Sequence, residues 1–219
     1  MNLSYKGKKI FAFADTHGAH QQIIIPDDTD IVICAGDAVE DNLHGHEYDD
    51  FIKWYAAQPG KIKIFVPGNH ELSFEIGQAD NIRPLFKRHG IILMEDAVDE
   101  FDGITIGSIS GNSRIADEDI PTDIDIIVIH YPPLGILDDG LGSPEILNFV
   151  LKSQPRYHLF GHIHRTGGLS ERGKTNYVNI SEYSEKISEN NWLCHFFAEA
   201  IDTFAIAITG YGIDRLSRF

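Results

Sequence analysis

The sequence predicts an α/β fold built in layers, and three observations carry that reading. Short β-branched runs recur along the chain, each bounded by polar residues or glycine, as buried strands are. Amphipathic helical patterns fall between several of these runs. Strands and helices alternate through the first two thirds, whereas the last third is richer in strands. The result is an α/β layered domain with two sheets or one large mixed sheet.

The strand candidates are residues 10–13, 31–34, 62–66, 91–94, 104–109, 126–129, 157–160 and 177–180, with a last apolar stretch over 192–208. Composition leaves parallel and antiparallel pairing open. Tyr48, Phe51, Ile52 and Tyr55 repeat at i, i+3, i+4 and i+7, which makes one apolar helical face. A second helix is expected over 79–88, ended by Gly90, with Pro84 as its weak point. A third starts at Ser143-Pro144-Glu145. Ser143 suits the cap, Pro144 the first turn, and Glu145 the positive end of the dipole. No repeat, low-complexity tract or linker is visible, so a single domain over residues 1–219 is expected, long enough for one sizeable core.

Charge and composition exclude several classes. Lys and Arg number 18 against 33 Asp and Glu, a formal net charge of −15. That balance argues against broad nucleic-acid binding, which needs cations along the phosphates, and against docking on anionic lipid. It leaves room for an enzyme that meets phosphate through metal ions. No apolar run approaches the ~20 residues of a membrane span, and no signal-peptide core follows Met1. Cys34 and Cys194 make neither a disulfide framework nor a zinc knuckle. A cytoplasmic protein is the expectation.

The histidines carry the chemistry. Asp15-Thr16-His17 follows the run 10–13, Gly36-Asp37 follows 31–34, and Gly68-Asn69-His70-Glu71 follows 62–66. His130 ends 126–129, and Gly161-His162-Ile163-His164 ends 157–160. Residues two apart at a strand end share a side and can grip one cation. Taken singly, Asp-x-His and Gly-Asp are ordinary turn chemistry. Five strand ends with Asp, His, Asp, Asn, His, His and His in succession are not, because ligands of open α/β sheets gather at the carboxyl ends of strands. Hard oxygen and borderline nitrogen without thiolate suit Mn, Fe, Zn or Co.

The ordered set Asp15-x-His17, Gly36-Asp37-x-x-Glu40, Gly68-Asn69-His70-Glu71, His130 and Gly161-His162-x-His164 resembles the metallophosphoesterase, or calcineurin-like phosphoesterase, superfamily. It looks most like the small single-domain branch, which includes phosphodiesterases. The resemblance implies two packed mixed β-sheets flanked by helices, a four-layer αββα sandwich. It implies two divalent metal ions, manganese among the candidates. Asp15, His17 and His164 would hold the first, Asp37 would bridge, and Asn69, His130 and His162 would hold the second. It gives Asp37 and His70 the catalytic roles, with a metal-bridging hydroxide as nucleophile and His70 protonating the leaving oxygen. Glu40 stands where the family often has Asp, at a position that is not a ligand. The stretch 107–114 matches no family pattern.

The expected activity is hydrolysis of small or nucleotide-like phosphoesters, most simply diesters. No Gly-x-Ser-x-Gly elbow or P-loop appears, which weakens serine-hydrolase and nucleotide-triphosphatase readings. The rivals are a non-catalytic metal- or phosphoester-binding module of the same fold, and a nuclease or phosphomonoesterase of the superfamily. A nuclease wants a basic strip, and the only cluster, Lys6, Lys8 and Lys9, is more simply a polar lead into the first strand. The oligomeric state is unassigned. Among other residues, His20 is balanced between lining the site and starting a helix. His44 and His46 read as solvated loop, His89, His158, His195 and Asn179 as structural, and Arg114 as surface. Tyr131 and Trp54 read as packing, and Cys34 as a buried apolar residue.

Overall fold

The computed structural model describes residues 1–40, 46–74, 76, 78–111, 113, 115 and 123–181. Outside them lie the apolar stretch 192–208, Cys194, His195, His44 and Arg114. The described residues belong to the unit Met1–Tyr183. The expectation of one domain through residue 219 extends beyond them.

Two mixed sheets form the core. The first holds β1 (Asn2–Tyr5), β2 (Lys8–Phe13), β3 (Ile31–Cys34), β4 (Ile62–Phe65) and β5 (Ile92–Leu93), side by side in that order. The β1–β2 pair is antiparallel and the rest are parallel. The second sheet contains β6 (Val98–Phe101), β7 (Ile104–Ile109), β8 (Ile126–Ile129), β9 (Tyr157–Phe160), β10 (Gly168–Arg172) and β11 (Thr175–Asn179) in the order β10-β11-β9-β8-β7-β6. Its centre is parallel and its two edge pairs are antiparallel.

Alternation along the strands sorts the apolar residues into three cores. Ile10, Ala12 and Ala14 of the first sheet face Ile104, Ile106, Val128 and Leu159 of the second. Phe11, Phe13, Cys34 and Phe65 point the other way, onto α1 (Asp49–Ala57) and α2 (Ala79–Arg88). Ile127, Ile129, Phe160 and Tyr177 face α3 (Pro144–Ser153). Branched aliphatics dominate the space between the sheets, and aromatics dominate the core beneath α1. Period-two alternation with both faces apolar yields helix, sheet, sheet, helix.

The helices follow their sequence signals. Tyr48, Phe51, Ile52 and Tyr55 are all buried, and Ser143 Oγ accepts from Ile146 N at 3.1 Å as the cap of α3. Pro84 lies inside α2, which still buries Ala79, Ile82 and Phe86. Three strands have no counterpart among the sequence candidates: β1, β6 and β10. Each is a largely exposed hairpin arm at a sheet edge, so burial never wrote an apolar run into it. Their turns do carry a signal. Lys6-Gly7 and Asp102-Gly103 have paired positive φ (47° and 77°, 51° and 80°), the conformation of tight two-residue hairpins. Asp125 ties the first hairpin to the second sheet, accepting from Tyr5 Oη (2.8 Å), Lys6 Nζ (2.7 Å) and Thr105 N (2.9 Å). Among the described residues no helix is long and apolar enough to cross a membrane.

Parallel register brings the carboxyl ends of the strands to one edge. Phe13 is level with Cys34, and Cys34 with Phe65. Ile109 is level with Ile129, Val128 with Leu159, and Phe160 with Asn179. The two sheets meet there through a parallel bridge, Ala14 to Ser181, with Ala14 N donating to Ile180 O at 3.0 Å.

His158 on β9 is fully buried beside Phe160 and Tyr177, and neither ring nitrogen has a hydrogen bond. Burial lowers it to about 3. The fold therefore holds it neutral, while the unfolded chain takes up a proton below its ordinary value of 6.5. Its contribution to stability is complete above pH 6.5 and is lost as pH falls towards 3, at about 1 kcal/mol per pH unit. Between pH 7 and 4 the melting temperature of His158→Leu should fall less steeply than that of the native chain. Parallel slopes in a pH series of thermal melts would refute this.

Candidate metal centre

The site lies on the edge where the strands of both sheets end. Asp15 and His17 follow β2, Asp37 follows β3, and Asn69 and His70 follow β4. His130 follows β8, and His162 and His164 follow β9. After β2, β3 and β9 the chain turns within a residue or two, and it does so under strain. Asp15, His17, Asp37 and His162 have φ of +58°, +43°, +53° and +68°. Non-glycine residues rarely adopt this region, and such outliers persist where surrounding structure over-determines them. Here the surroundings are backbone bonds between neighbouring ends. Asp15 N donates to Gly36 O, and His17 N to Asp37 O, both at 3.0 Å.

The structure brings the sequence-predicted ligands together in two groups, and a third group, His17, Glu40 and His70, shares His17 with the first. Asp15, His17 and His164 place ligand atoms within 4.8 Å of one another, and so do Asp37, His130 and His162. Asn69 joins the second group, its Oδ1 accepting from His162 Nδ1 at 3.0 Å. Asp37 stands between the groups, with Oδ2 3.1 Å from His130 Nε2 and 4.0 Å from His17 Nε2. His70 N donates to Asp37 Oδ1 at 3.0 Å, and its half-buried ring stands edge-on to His17, 5.0 Å between centroids.

Two glycines make this packing possible. A Cβ on Gly68 would lie 2.3 Å from Asp37 Oδ1, and one on Gly161 would lie 2.3 Å from Asp15 Oδ2. Any side chain there would occupy the space where the carboxylates sit.

The electrostatics call for positive charge. Burial pushes Asp15 and Asp37 up, but the neighbouring histidines outweigh it and hold both below the ordinary carboxylate range. Burial alone would lower His130. Asp37, and then Asp15, instead raise it to about 10. Burial lowers His17 and His162 to about 4 each, so both are neutral at pH 7 and have a lone pair to offer.

A divalent metal fits this donor set. His130 Nδ1 donates to Ala35 O at 2.7 Å, which fixes Nε2 as the atom presented to the carboxylates. That Nε2 is buried and faces Asp37 Oδ2 at 3.1 Å, where a bound cation would take the place of the proton between them. His17 Nε2 and His164 Nε2 face each other at 3.3 Å, and two such nitrogens need a proton or a cation between them. Imidazole orientation fixed by a backbone carbonyl is the usual support of a metal-binding histidine.

Glu71, given no role by the sequence, proves central. Its fully buried carboxylate accepts from Asp37 N (2.8 Å), Ala38 N (3.0 Å) and Gly68 N (2.6 Å). Burial and the nearby Asp37 charge push it up to about 7, against the pull of those amides. Only its place in the block 68–71 signalled it. Glu40 lies 3.4 Å from His17 Nδ1, with Oε1 facing the ring. Gly111, from the stretch 107–114, also borders the site, its N donating to Pro67 O at 2.8 Å. His20 is not part of the cluster. It is buried against Phe51 and Trp54, with Nε2 3.0 Å from Asp50 Oδ2. Tyr131 packs edge-on to His162 at 4.6 Å, Trp54 packs on Phe13, and Cys34 is buried.

Comparison with known proteins agrees with this geometry. A family model described as calcineurin-like phosphoesterase matches residues 8–166. A UPF0046 protein of Caenorhabditis elegans is 28% identical over 206 residues, 80% of this chain and 69% of the relative. The Homo sapiens metallophosphoesterase domain-containing protein 1 is 32% identical over 212 residues, 77% of this chain and 64% of the relative. The chain thus spans about two thirds of the length of these relatives. Among solved structures, a phosphopantetheinyl hydrolase of Mycobacterium tuberculosis superposes with a TM-score of 0.55 at 16% identity, covering 83% of this chain and 92% of that one. A protein of Thermus thermophilus superposes with a TM-score of 0.56 at 16% identity, covering 78% and 87%. At such identities the structural likeness establishes the shared fold, two mixed sheets flanked by helices.

Replacing Glu71 tests the clamp. Glu71→Gln keeps the size but turns an amide donor towards backbone N–H groups. Leaving a buried donor without an acceptor costs about 1–3 kcal/mol. A melting temperature several degrees lower is expected, and an unchanged one would show that the three bonds do not hold the loops.

Proposed function

The chain belongs to the calcineurin-like phosphoesterase family, and from that premise we propose that it hydrolyses small phosphodiesters with two divalent metal ions. The observation that carries the proposal is the pair of ligand groups, Asp15/His17/His164 and Asp37/His130/His162, joined through Asp37 at one sheet edge. In this reading the first group holds one ion, and the second, with Asn69, holds the other. The bound ions would offset the charge of the phosphoryl oxygens and make water acidic enough to act as a nucleophile near neutral pH. Mn, Fe, Zn or Co suits the mixed nitrogen and oxygen set.

The chain's own residues do the rest. Asp37 holds the two groups in register, and its Oδ1 fixes the His70 backbone. His17 and His162, neutral through burial, present lone pairs inward. His70 is half-buried where His130 is fully enclosed, so its ring can reach a bound ester. It transfers a proton to the departing alkoxide, a step typically worth ~10²–10⁴-fold. The net charge of −15 disfavours long polyanions, which supports small substrates over DNA or RNA.

Metal-stripped protein reloaded with Mn, Co, Zn or Fe should hydrolyse bis(p-nitrophenyl) phosphate faster than p-nitrophenyl phosphate. Asp37→Asn should abolish turnover. No turnover with any metal despite full loading would favour the binding module. His70→Ala should lose ~10²–10⁴-fold on a diester with an alkoxide leaving group, and far less when p-nitrophenolate departs, which needs no proton. Equal losses on both would remove His70 as the proton donor.

A further inference from the structure

Asn179 closes β11 beside the turn that carries His162 and His164, and it is 1% exposed. Its Nδ2 donates to Ile163 O at 2.8 Å and to Thr166 Oγ1 at 3.0 Å, and its Oδ1 accepts from Ser181 N at 3.1 Å. Ile163 lies between the two histidines. Thr166 Oγ1 in turn donates to Leu137 O at 2.6 Å, in the loop that follows His130. The strand behind Asn179 is itself anchored on both sides. Ile180 N donates to Phe160 O at 2.8 Å, and Ile180 O accepts from Ala14 N at 3.0 Å, one residue before Asp15. One buried amide therefore sits where the ends of β2, β8, β9 and β11 converge.

We propose that Asn179 is a positioning residue for both halves of the metal centre. It fixes the carbonyl of Ile163, and with it the direction of the turn. His162 then faces the Asp37 group and His164 the Asp15 group. His162 sits at φ +68°, a conformation that needs support from outside the turn. The inference rests on the two-metal reading of the site. Its consequence is specific: loss of a single ligand other than the shared Asp37 weakens one ion, whereas loss of Asn179 weakens both. The role depends on donation, not on volume. Asp has the same shape and would still accept from Ser181 N, but at pH 8 it would set an oxygen against the Ile163 carbonyl.

The test is titration of metal-stripped protein with Co(II), followed by visible absorption and by the number of ions bound, with circular dichroism as the check on folding. The native chain should bind two ions. Asn179→Asp at pH 8 and Asn179→Ala should weaken both by ~10–100-fold, the usual effect of removing a support behind metal ligands, and should alter the Co(II) bands. Native-like binding by the Asp variant would reduce Asn179 to a space-filler and overturn the proposal, as would weakening of only one ion. Thr166→Val removes one acceptor of Nδ2 and the tie to Leu137 at a half-buried position. It should give a smaller loss at both ions, and unchanged binding alongside Asn179 variants that do not fold would also overturn the proposal. Failure of the two-metal reading would look different. The native chain and Asp37→Asn would then take up Co(II) alike or not at all, which overturns the proposed function and this inference with it.

Discussion

The buried carboxylate of Glu71 is the constraint on which the site depends. Its two oxygens accept three backbone N–H groups, two from the loop after β3 and one from the loop after β4. Those loops carry Asp37, Asn69 and His70. A strand end that turns sharply leaves amides with no partner in the sheet, and a buried amide without an acceptor is costly. Glu71 supplies the acceptors from inside the protein. It thereby holds Asp37 at φ +53°, a conformation its own backbone does not favour. Asp37 in turn anchors His70 N, so the geometry passes from one carboxylate to the next.

This arrangement concentrates negative charge. Asp15, Asp37 and Glu71 are all buried within one strand-end cluster, and His130 beside Asp37 and His164 beside Asp15, both drawn up by those carboxylates, are the counter-charges. Burying several carboxylates together is unfavourable unless opposite charge joins them. A fold that accepts this cost has a place for cations, and the family to which the chain belongs is named for metal-dependent phosphoester chemistry. The strain at Asp15, His17, Asp37 and His162 points the same way, because four such residues gather in one cluster of candidate ligands, whereas Lys6 and Asp102 take positive φ in tight hairpin turns.

The two sheets divide the labour. The first contributes both Asp residues, His17, Asn69 and His70, and the second contributes His130, His162 and His164. The site exists only because the sheets are joined where their strands end, by the Ala14–Ser181 bridge and the bond from Ala14 N to Ile180 O. The inter-sheet core of Ile, Val and Ala sets the spacing between the two halves.

The sequence by itself determined the buried strands, the three helices and the residues at the strand ends. Each leaves a local trace: a β-branched run, an apolar face at helical spacing, a cap such as Ser143, or a histidine beside glycine. It also determined, through family resemblance, which residues would gather. Tertiary structure alone decided the rest. The edge strands β1, β6 and β10 form by pairing with a neighbour and bury little, so no apolar run announces them. The parallel pairing is set by crossovers, which composition does not encode. Glu71 and Asn179 looked ordinary in the sequence because their importance lies in backbone groups of residues far along the chain. Glu71 bonds the amide of Asp37, and Asn179 bonds the carbonyl of Ile163. Such bonds leave no mark on the partner's side chain, so only the folded chain shows them.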